Sequence, residues 1–529
     1  MTVTRPTHDV VIVGGGHNAL VAAAYLARAG RSVVVLERLD HTGGAAVSES
    51  PWAGVSARLS RYSYLVSLLP ARIVDDLGLR LTLRRRRYSS YTPDPTDPAR
   101  GVLVDTGDAR VTDASFHRTA GSTAEADRYR SRSARVTPLA RTVFPSMTEP
   151  LPTASALRAA LGDDALWDAI TARPLGTLLR DSLESDLVRG IALTDGLIGT
   201  FSHADDASLR QNRCYLYHVI GGGTGDWDVP VGGMGHVTAE LDRAARDAGA
   251  EIRTGAPVTS VSPDGEVRYG GTDAGVVAGR LVLAAVGPAV LDHLLAAAGA
   301  DVQRAPEPEG AQVKVNMLLR RLPRLHDRHV APAAAFAGTF HVNETMTQLN
   351  TAYTEAVAGR IPEPLPAEIY CHSLTDPSIL GAELQEAGAQ TLTLFGLQVP
   401  HRLLDGSDPD AMRATLLAAA ERSLDSVLAE PLADCIWETP TGAPCIEART
   451  TADLEESLGM TGGDIFHGPL SWAWREDEAD AASPAEAWGV DTAHSRILRC
   501  GSSAARGGAV SGLGGHNAAM AALALLPGG

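Results

Sequence analysis

Gly14, Gly16 and Ala19 form a G-x-G-x-x-A pattern directly after the apolar run DVVIV at 9–13. At such a turn a pyrophosphate is received by backbone N–H groups and by the dipole of the helix that follows, and a Cβ would block that approach. His17 and Asn18, inside the pattern, open the helix and are candidate contacts. Glu37 stands 23 residues beyond Gly14, where a carboxylate accepts hydrogen bonds from ribose hydroxyls and repels a 2′-phosphate. The chemistry these residues predict is dinucleotide binding, with NADP disfavoured. A Gly-rich turn in some other α/β fold is the plainer alternative.

The elements that must hold these residues are legible around them. HNALVAAAYLARAG (17–30) reads as a helix with a stop at Gly30, and SVVVL (32–36) as a second strand ended by Glu37. Gly43 and Gly44 supply a further loop able to lie against a pyrophosphate, and GSSAARGGAVSGLGGHNAAMAAL (501–523) sets a Gly-rich turn before a final helix. The N-terminus of that helix can stabilise negative charge on a reduced flavin ring, which points to FAD rather than NAD. VTSV (258–261), RLVLAAVG (280–287), QVKVNMLL (312–319) and ILRCG (497–501) read as strands. Residues 76–225 are poorer in glycine and mostly helical in pattern, TLLRDSLESDLVRGIAL (177–193) among them. The expected fold class is α/β: a discontinuous dinucleotide domain from 1–75, 225–300 and 455–529, and a second domain built from 76–224 and 301–454.

Five segments, DVVIVGGGHNALVAAAYLARAG, VVVLERLDHTGGAAVSES, WDVPVGGMGHVTAEL, GDIFHGPLSW and RCGSSAARGGAVSGLGGHNAA, resemble the phytoene desaturase-related flavoproteins. Within that superfamily the chain is most similar to the branch called pyridine nucleotide-disulfide oxidoreductase domain-containing protein 2, over nearly its whole length. The resemblance implies a glutathione-reductase-type Rossmann domain with non-covalent FAD and an inserted α+β substrate domain like that of amine oxidases and phytoene desaturases. It places Gly14, Gly16, Glu37, Arg38 and Gly44 at the ADP moiety, Val258 at the adenine, and Ser511 and Gly512 beside the isoalloxazine. Gly501 falls in ILRCGS, which replaces the Gly-Asp usual before the last helix and leaves the ribitol contact undefined.

Lys314 is the single lysine in a chain whose other basic side chains are all arginines. Its strand, QVKVNMLL, resembles the one whose lysine holds a water at flavin N5 in amine oxidases, a task for a compact ammonium that a guanidinium cannot copy. His467, in DIFHGPLSW, is the second candidate catalytic residue; an ordinary strand-end lysine and a structural histidine are the plainer readings. His326, His329, Cys371 and His372 lack a closed set of ligand spacings, so no metal is expected. Cys214, Cys371, Cys435, Cys445 and Cys500 include no CxxC pair, which argues against dithiol exchange with a flavin.

With 529 residues, 44% of them apolar, the chain can bury more than one core. Its 46 basic against 63 acidic residues, a net charge of −17, exclude nucleic acid as a partner. The first residues carry no export signal, no run is long enough to span a bilayer, and the scattered cysteines fit a cytoplasmic protein. Peripheral membrane contact and self-association stay open. The expected activity is removal of hydride from a C–H bond of an apolar, small-molecule substrate to flavin N5, with an unidentified electron acceptor; the resemblance suggests a polyene or isoprenoid. An amine oxidase, a flavin-dependent isomerase, a regulatory flavoprotein with weak catalysis and a partner-binding protein of the prenylated-GTPase dissociation-inhibitor type are the alternatives. The first of these calls for an aromatic pair that 5% aromatic residues do not advertise.

Overall fold

The computed structural model describes residues 7–304, 306–477 and 481–526; residues 1–6, read above for an export signal, lie outside them. Strand β1 (His8–Val13), helix α1 (His17–Arg28) and strand β2 (Val33–Leu36) follow one another at the N-terminus. β1 lies inside a seven-stranded sheet, parallel to β2 on one side and to the strand Gly275–Ala284 on the other, so that Val10 stands opposite both Val33 and Leu281. Glu251–Arg253 extends the sheet beyond β2, and Ile497–Arg499 pairs in parallel with Gly275–Ala284. Two antiparallel strands, Glu266–Tyr269 and Val258–Val261, complete it.

Both faces of this sheet are covered, which is why β1 reads as an unbroken apolar run rather than an alternating one. Val10 and Ile12 pack toward the buried residues of α1 and of the helices Met234–Asp247 and Leu513–Leu525. Val11 and Val13 pack on the opposite side, with Leu291 and Leu295 of the helix Pro288–Ala297. The chain leaves α1 through Gly30, at φ 76°, whose N–H donates to Ala27 O while Arg31 N donates to Leu26 O. That left-handed conformation carries little steric cost only for glycine.

A second seven-stranded sheet uses residues from the two long insertions, in the order Ile446–Arg449, Gln312–Leu319, Gln390–Leu397, Ala367–Tyr370, Thr339–Val342, Tyr88–Asp94, Asp97–Asp105. Its strand Gln312–Leu319 is buried along its whole length because it has neighbours on both edges and layers on both faces. Val313, Val315, Met317 and Leu319 enter a core closed by Leu416, Ala420 and Leu424 of the helix Pro409–Asp425. Gln312, Lys314 and Asn316 bond to segments of the first domain's side: Gln312 Nε2 donates to Gly463 O (2.7 Å) and Asn316 Nδ2 to Arg61 O (3.3 Å). The polar half of one alternating strand is thus the seam between the two sheets.

Helices between 109 and 220 form a third layer around Phe116, Leu139, Leu179 and Tyr215. The helical stretch expected over 177–193 is two helices, Leu175–Ser182 and Asp186–Thr194. Ser185 starts the second by accepting from Val188 N (3.4 Å), and Glu125 fixes the break by accepting from Glu184 N and Ser185 N (2.9 and 2.8 Å). No helix among the described residues is long and apolar enough to cross a membrane. The architecture is α/β: a Rossmann-type domain with an inserted α+β domain.

Candidate active site

One cavity of about 620 Å³ runs from the turn after β1 to the polar seam of the second sheet. Its first end is lined by Gly14, Gly16, His17, Asn18, Ala19, Glu37, Arg38, Gly44, Val258 and Gly501, and its far part by Lys314, Tyr64, Arg86, His341, Glu368 and Tyr370. A volume of this size is ordinary for a cofactor or substrate site.

The glycines have separate duties. Gly14 sits at φ 92° with Ala285 O at 3.5 Å from where a Cβ would stand, and at Gly15 a Cβ would meet Glu37 Cβ at 2.9 Å. At Gly16, by contrast, nothing lies within 4 Å of an added Cβ, so a methyl there would occupy the cavity itself. No side chain caps the N-terminus of α1, which leaves its first N–H groups for a ligand. Glu37 is buried; its Oε2 accepts from Gly15 N (2.6 Å) and its Oε1 from Leu39 N (2.8 Å). Each oxygen keeps a second lone pair for a ribose hydroxyl. An anion-receiving helix end, a ribose-receiving carboxylate and an apolar wall at Val258 fit the ADP half of FAD.

Three expected contacts lie outside the cavity wall. Gly43 is one layer behind it, donating from its N–H to Gly15 O (2.9 Å), and a Cβ there would meet Val47 at 2.9 Å. Ser511 and Gly512 are the cap of the last helix: Ser511 Oγ accepts from Leu513 N (3.2 Å), and a Cβ on Gly512 would meet Val21 at 3.0 Å. Because the helix begins at Leu513, the residues turned to the cavity are the preceding Gly507, Gly508, Ala509 and Val510. Arg38 reaches the cavity edge, but its guanidinium donates to Ser457 O (2.5 Å). Gly501 lines the cavity together with Ser502, whose hydroxyl-bearing side chain stands where the expected Asp is missing.

His17 and His467 line the same part of the cavity, and each has a ring nitrogen without a partner: Nε2 of His17 and Nδ1 of His467. Burial holds both imidazoles down to about 4, so both are neutral near pH 7. His467 adopts φ 60°, an uncommon conformation for a side-chain-bearing residue, and sits beside Gly287. Lys314 is buried, with Nζ donating to Tyr62 O (2.7 Å) and Ser60 O (3.0 Å) and lying 4.6 Å from the centre of the Tyr64 ring. Burial also holds its ammonium well below the usual lysine range.

Sequence reasoning missed Tyr64, Arg86, His341, Glu368 and Tyr370, which come from loops and strands far apart in the chain. Tyr64 and Tyr370 form an aromatic pair with ring centroids 4.8 Å apart, a feature the low aromatic content concealed. One signal was readable: Glu368 is a carboxylate inside the otherwise apolar strand Ala367–Tyr370.

Residues 12–70 match the family model NAD(P)-binding Rossmann-like domain. An uncharacterized protein of Mycobacterium tuberculosis is 53% identical over 530 residues, covering 98% of this chain and 97% of its own length. Pyridine nucleotide-disulfide oxidoreductase domain-containing protein 2 of Rattus norvegicus is 30% identical over 562 residues, covering 97% of this chain and 93% of its own. The chain belongs to that family. Cyclohexylamine oxidase from Brevibacterium oxydans shares the fold, with a TM-score of 0.56 over 98% of this chain and 99% of its own at 16% identity. The word disulfide in the family name has no counterpart in this member's thiols. All five cysteines are buried and unpaired, and burial pushes Cys371 and Cys445 up to about 11 and Cys214 up to about 12. Such thiols hold their protons near neutrality and are poor nucleophiles.

Proposed function

We propose that this protein is an FAD-dependent oxidoreductase that takes hydride from a C–H bond of an organic substrate bound between the Rossmann-type domain and the second sheet. The observation that carries this reading is the single cavity joining the Gly14–Ala19 turn and Glu37 to Lys314, Tyr64 and Tyr370. Bound FAD would supply two-electron acceptance. The chain's own residues orient and exclude water. The turn, Glu37 and Val258 hold the ADP half, and neutral His17 and His467 offer hydrogen bonds without adding charge. Lys314 is fixed by two carbonyls and parts easily with a proton, which suits it to hold a water or pass a proton at Nζ.

The far part of the cavity combines apolar walls, Ile191, Ile198, Val136 and Phe395, with Arg86, Glu368 and His341. This favours a substrate with an apolar body and a polar end, phytoene dehydrogenase-like in its C–H chemistry but not a bare hydrocarbon. An amine oxidase is the second reading, favoured by the Tyr64–Tyr370 pair. Anaerobic mixing of the flavin-loaded protein with polyene alcohols or acids and, separately, with primary amines tests the choice. Bleaching by the first class supports the dehydrogenase reading; bleaching by amines, with peroxide formed on admitting air, replaces it with the second. Lys314→Met is expected to keep the flavin and slow its reduction by roughly 10²-fold.

A further inference from the structure

His341 and Glu368 stand directly opposite each other on the antiparallel strands Thr339–Val342 and Ala367–Tyr370. The chain turns at Asn343, at φ 57°, and brings Glu344 to the same place. One side-chain ligand atom from each of His341, Glu344 and Glu368 lies within 4.8 Å of the others. All three residues are almost wholly buried, Glu344 at 0% exposure.

Each is held from behind by its other polar atom. Thr92 Oγ1 bonds His341 Nδ1 (2.8 Å), Thr194 donates to Glu344 Oε2 (2.6 Å), and Tyr370 donates to Glu368 Oε2 (2.5 Å). Glu344 Oε1 has no partner, and His341 Nε2 and Glu368 Oε1 face each other 3.9 Å apart. Among the described residues neither glutamate makes an ion pair with an arginine or lysine. Arg86, whose guanidinium interacts electrostatically with His341 and Glu368, donates to Thr339 Oγ1 and Trp227 O instead. Buried carboxylates are retained when paired or when they coordinate metal. Bonds that orient each ligand through its second polar atom are the outer shell of a metal site.

We propose that His341, Glu344 and Glu368 bind a divalent cation of the zinc type, with its fourth coordination position open to the substrate cavity. Tetrahedral ligands about 2.0–2.2 Å from zinc are about 3.4 Å apart, so the 3.9 Å pair and a third ligand atom within 4.8 Å close on an ion by side-chain rotations on the order of 1 Å. His341 and Glu368 line the cavity, whereas Glu344 lies behind them. The open position therefore takes a water or an oxygen of the substrate's polar end, which the ion polarises. The three ligands come from a sheet pairing and a turn, not from a sequence spacing.

Metal content tests this whether or not the flavin reading holds. The purified protein, incubated with FAD and then freed of metal by chelator, is dialysed against Zn²⁺ and in parallel against Mn²⁺, and bound metal is measured by elemental analysis with affinity by calorimetry, whether or not flavin is retained. Wild type is expected to retain one ion per chain, and Glu344→Gln and His341→Ala to lose it. Thr92→Val, which keeps all three ligands, is expected to weaken binding by roughly 10–100-fold with the flavin spectrum unchanged; it carries the test if a ligand variant does not fold. Equal metal in wild type and in the variants, or none in wild type, would overturn the site and leave the glutamates as a protonated pair.

Discussion

Gly16 separates cofactor binding from folding. Its backbone, at φ −69° and ψ 171°, is one that alanine adopts freely, and an added Cβ touches no protein atom. Gly16→Ala is therefore expected to leave the stability of the cofactor-free protein within about 0.5 kcal/mol, while FAD affinity falls at least roughly tenfold as the methyl fills the pyrophosphate's place. Thermal melts and flavin titration check the two halves separately. His17 and His467 give a pH signature at the same scale. An unfolded imidazole titrates near about 6.5, whereas burial holds these two at about 4. Below about 6.5 each of these imidazoles takes a proton in the unfolded chain before it does in the folded one, so the stabilisation it contributes is complete above that pH and lost as pH falls toward 4. The slope is up to roughly 1.4 kcal/mol per pH unit for each histidine. Burial lowers His341, His372 and His516 in the same way, so denaturant unfolding of the cofactor-free protein between pH 4 and 7 should show a joint slope, and His467→Asn should flatten it by one histidine's share.

Gly515 joins two elements at their closest approach. A Cβ there would come 1.9 Å from Asn18 O, so the last helix lies on α1 only because this residue is glycine. Gly515→Ala is expected to cost about 1–3 kcal/mol and to loosen flavin binding, because Asn18 belongs to the cradle. A variant with unchanged melting temperature and unchanged flavin affinity would refute this coupling. Elements of this kind are what the sequence made legible. The strand 312–319 is read to the residue, and the β1–turn–α1 unit with Glu37 at its end is as expected, because local period and turn chemistry determine them. Ser511 and Gly512, which carry the motif, cap the last helix, and the residues of that loop that line the cavity are the preceding Gly507, Gly508, Ala509 and Val510. The far end of the cavity was not legible for a physical reason. His341, Glu368 and Tyr370 meet through strand pairing in the second sheet, while Arg86 comes from the loop before Tyr88–Asp94 and Tyr64 from a loop of the first segment, and no local pattern records such distant neighbours.

At the scale of the whole molecule, the two sheets are independent cores joined by a polar seam, and the cavity follows that seam. Lys314, Asn316 and Gln312 bind loop carbonyls across it, so domain contact and site geometry depend on the same bonds. Buried cysteines with raised thiol pKa values place no redox-active dithiol anywhere near this path. The intact protein is accordingly expected to reduce no disulfide reagent at the expense of a pyridine nucleotide, which an absorbance assay at neutral pH checks. The central claim, that the cavity is a flavin site, is tested most directly by the absorption spectrum of the purified wild-type protein after incubation with FAD and desalting, beside Gly16→Ala. Retained bands near roughly 375 and 450 nm in the wild type, lost or sharply weakened in a variant that melts at the same temperature, are the predicted result. A folded wild-type protein that stays colourless after incubation with FAD would contradict the account.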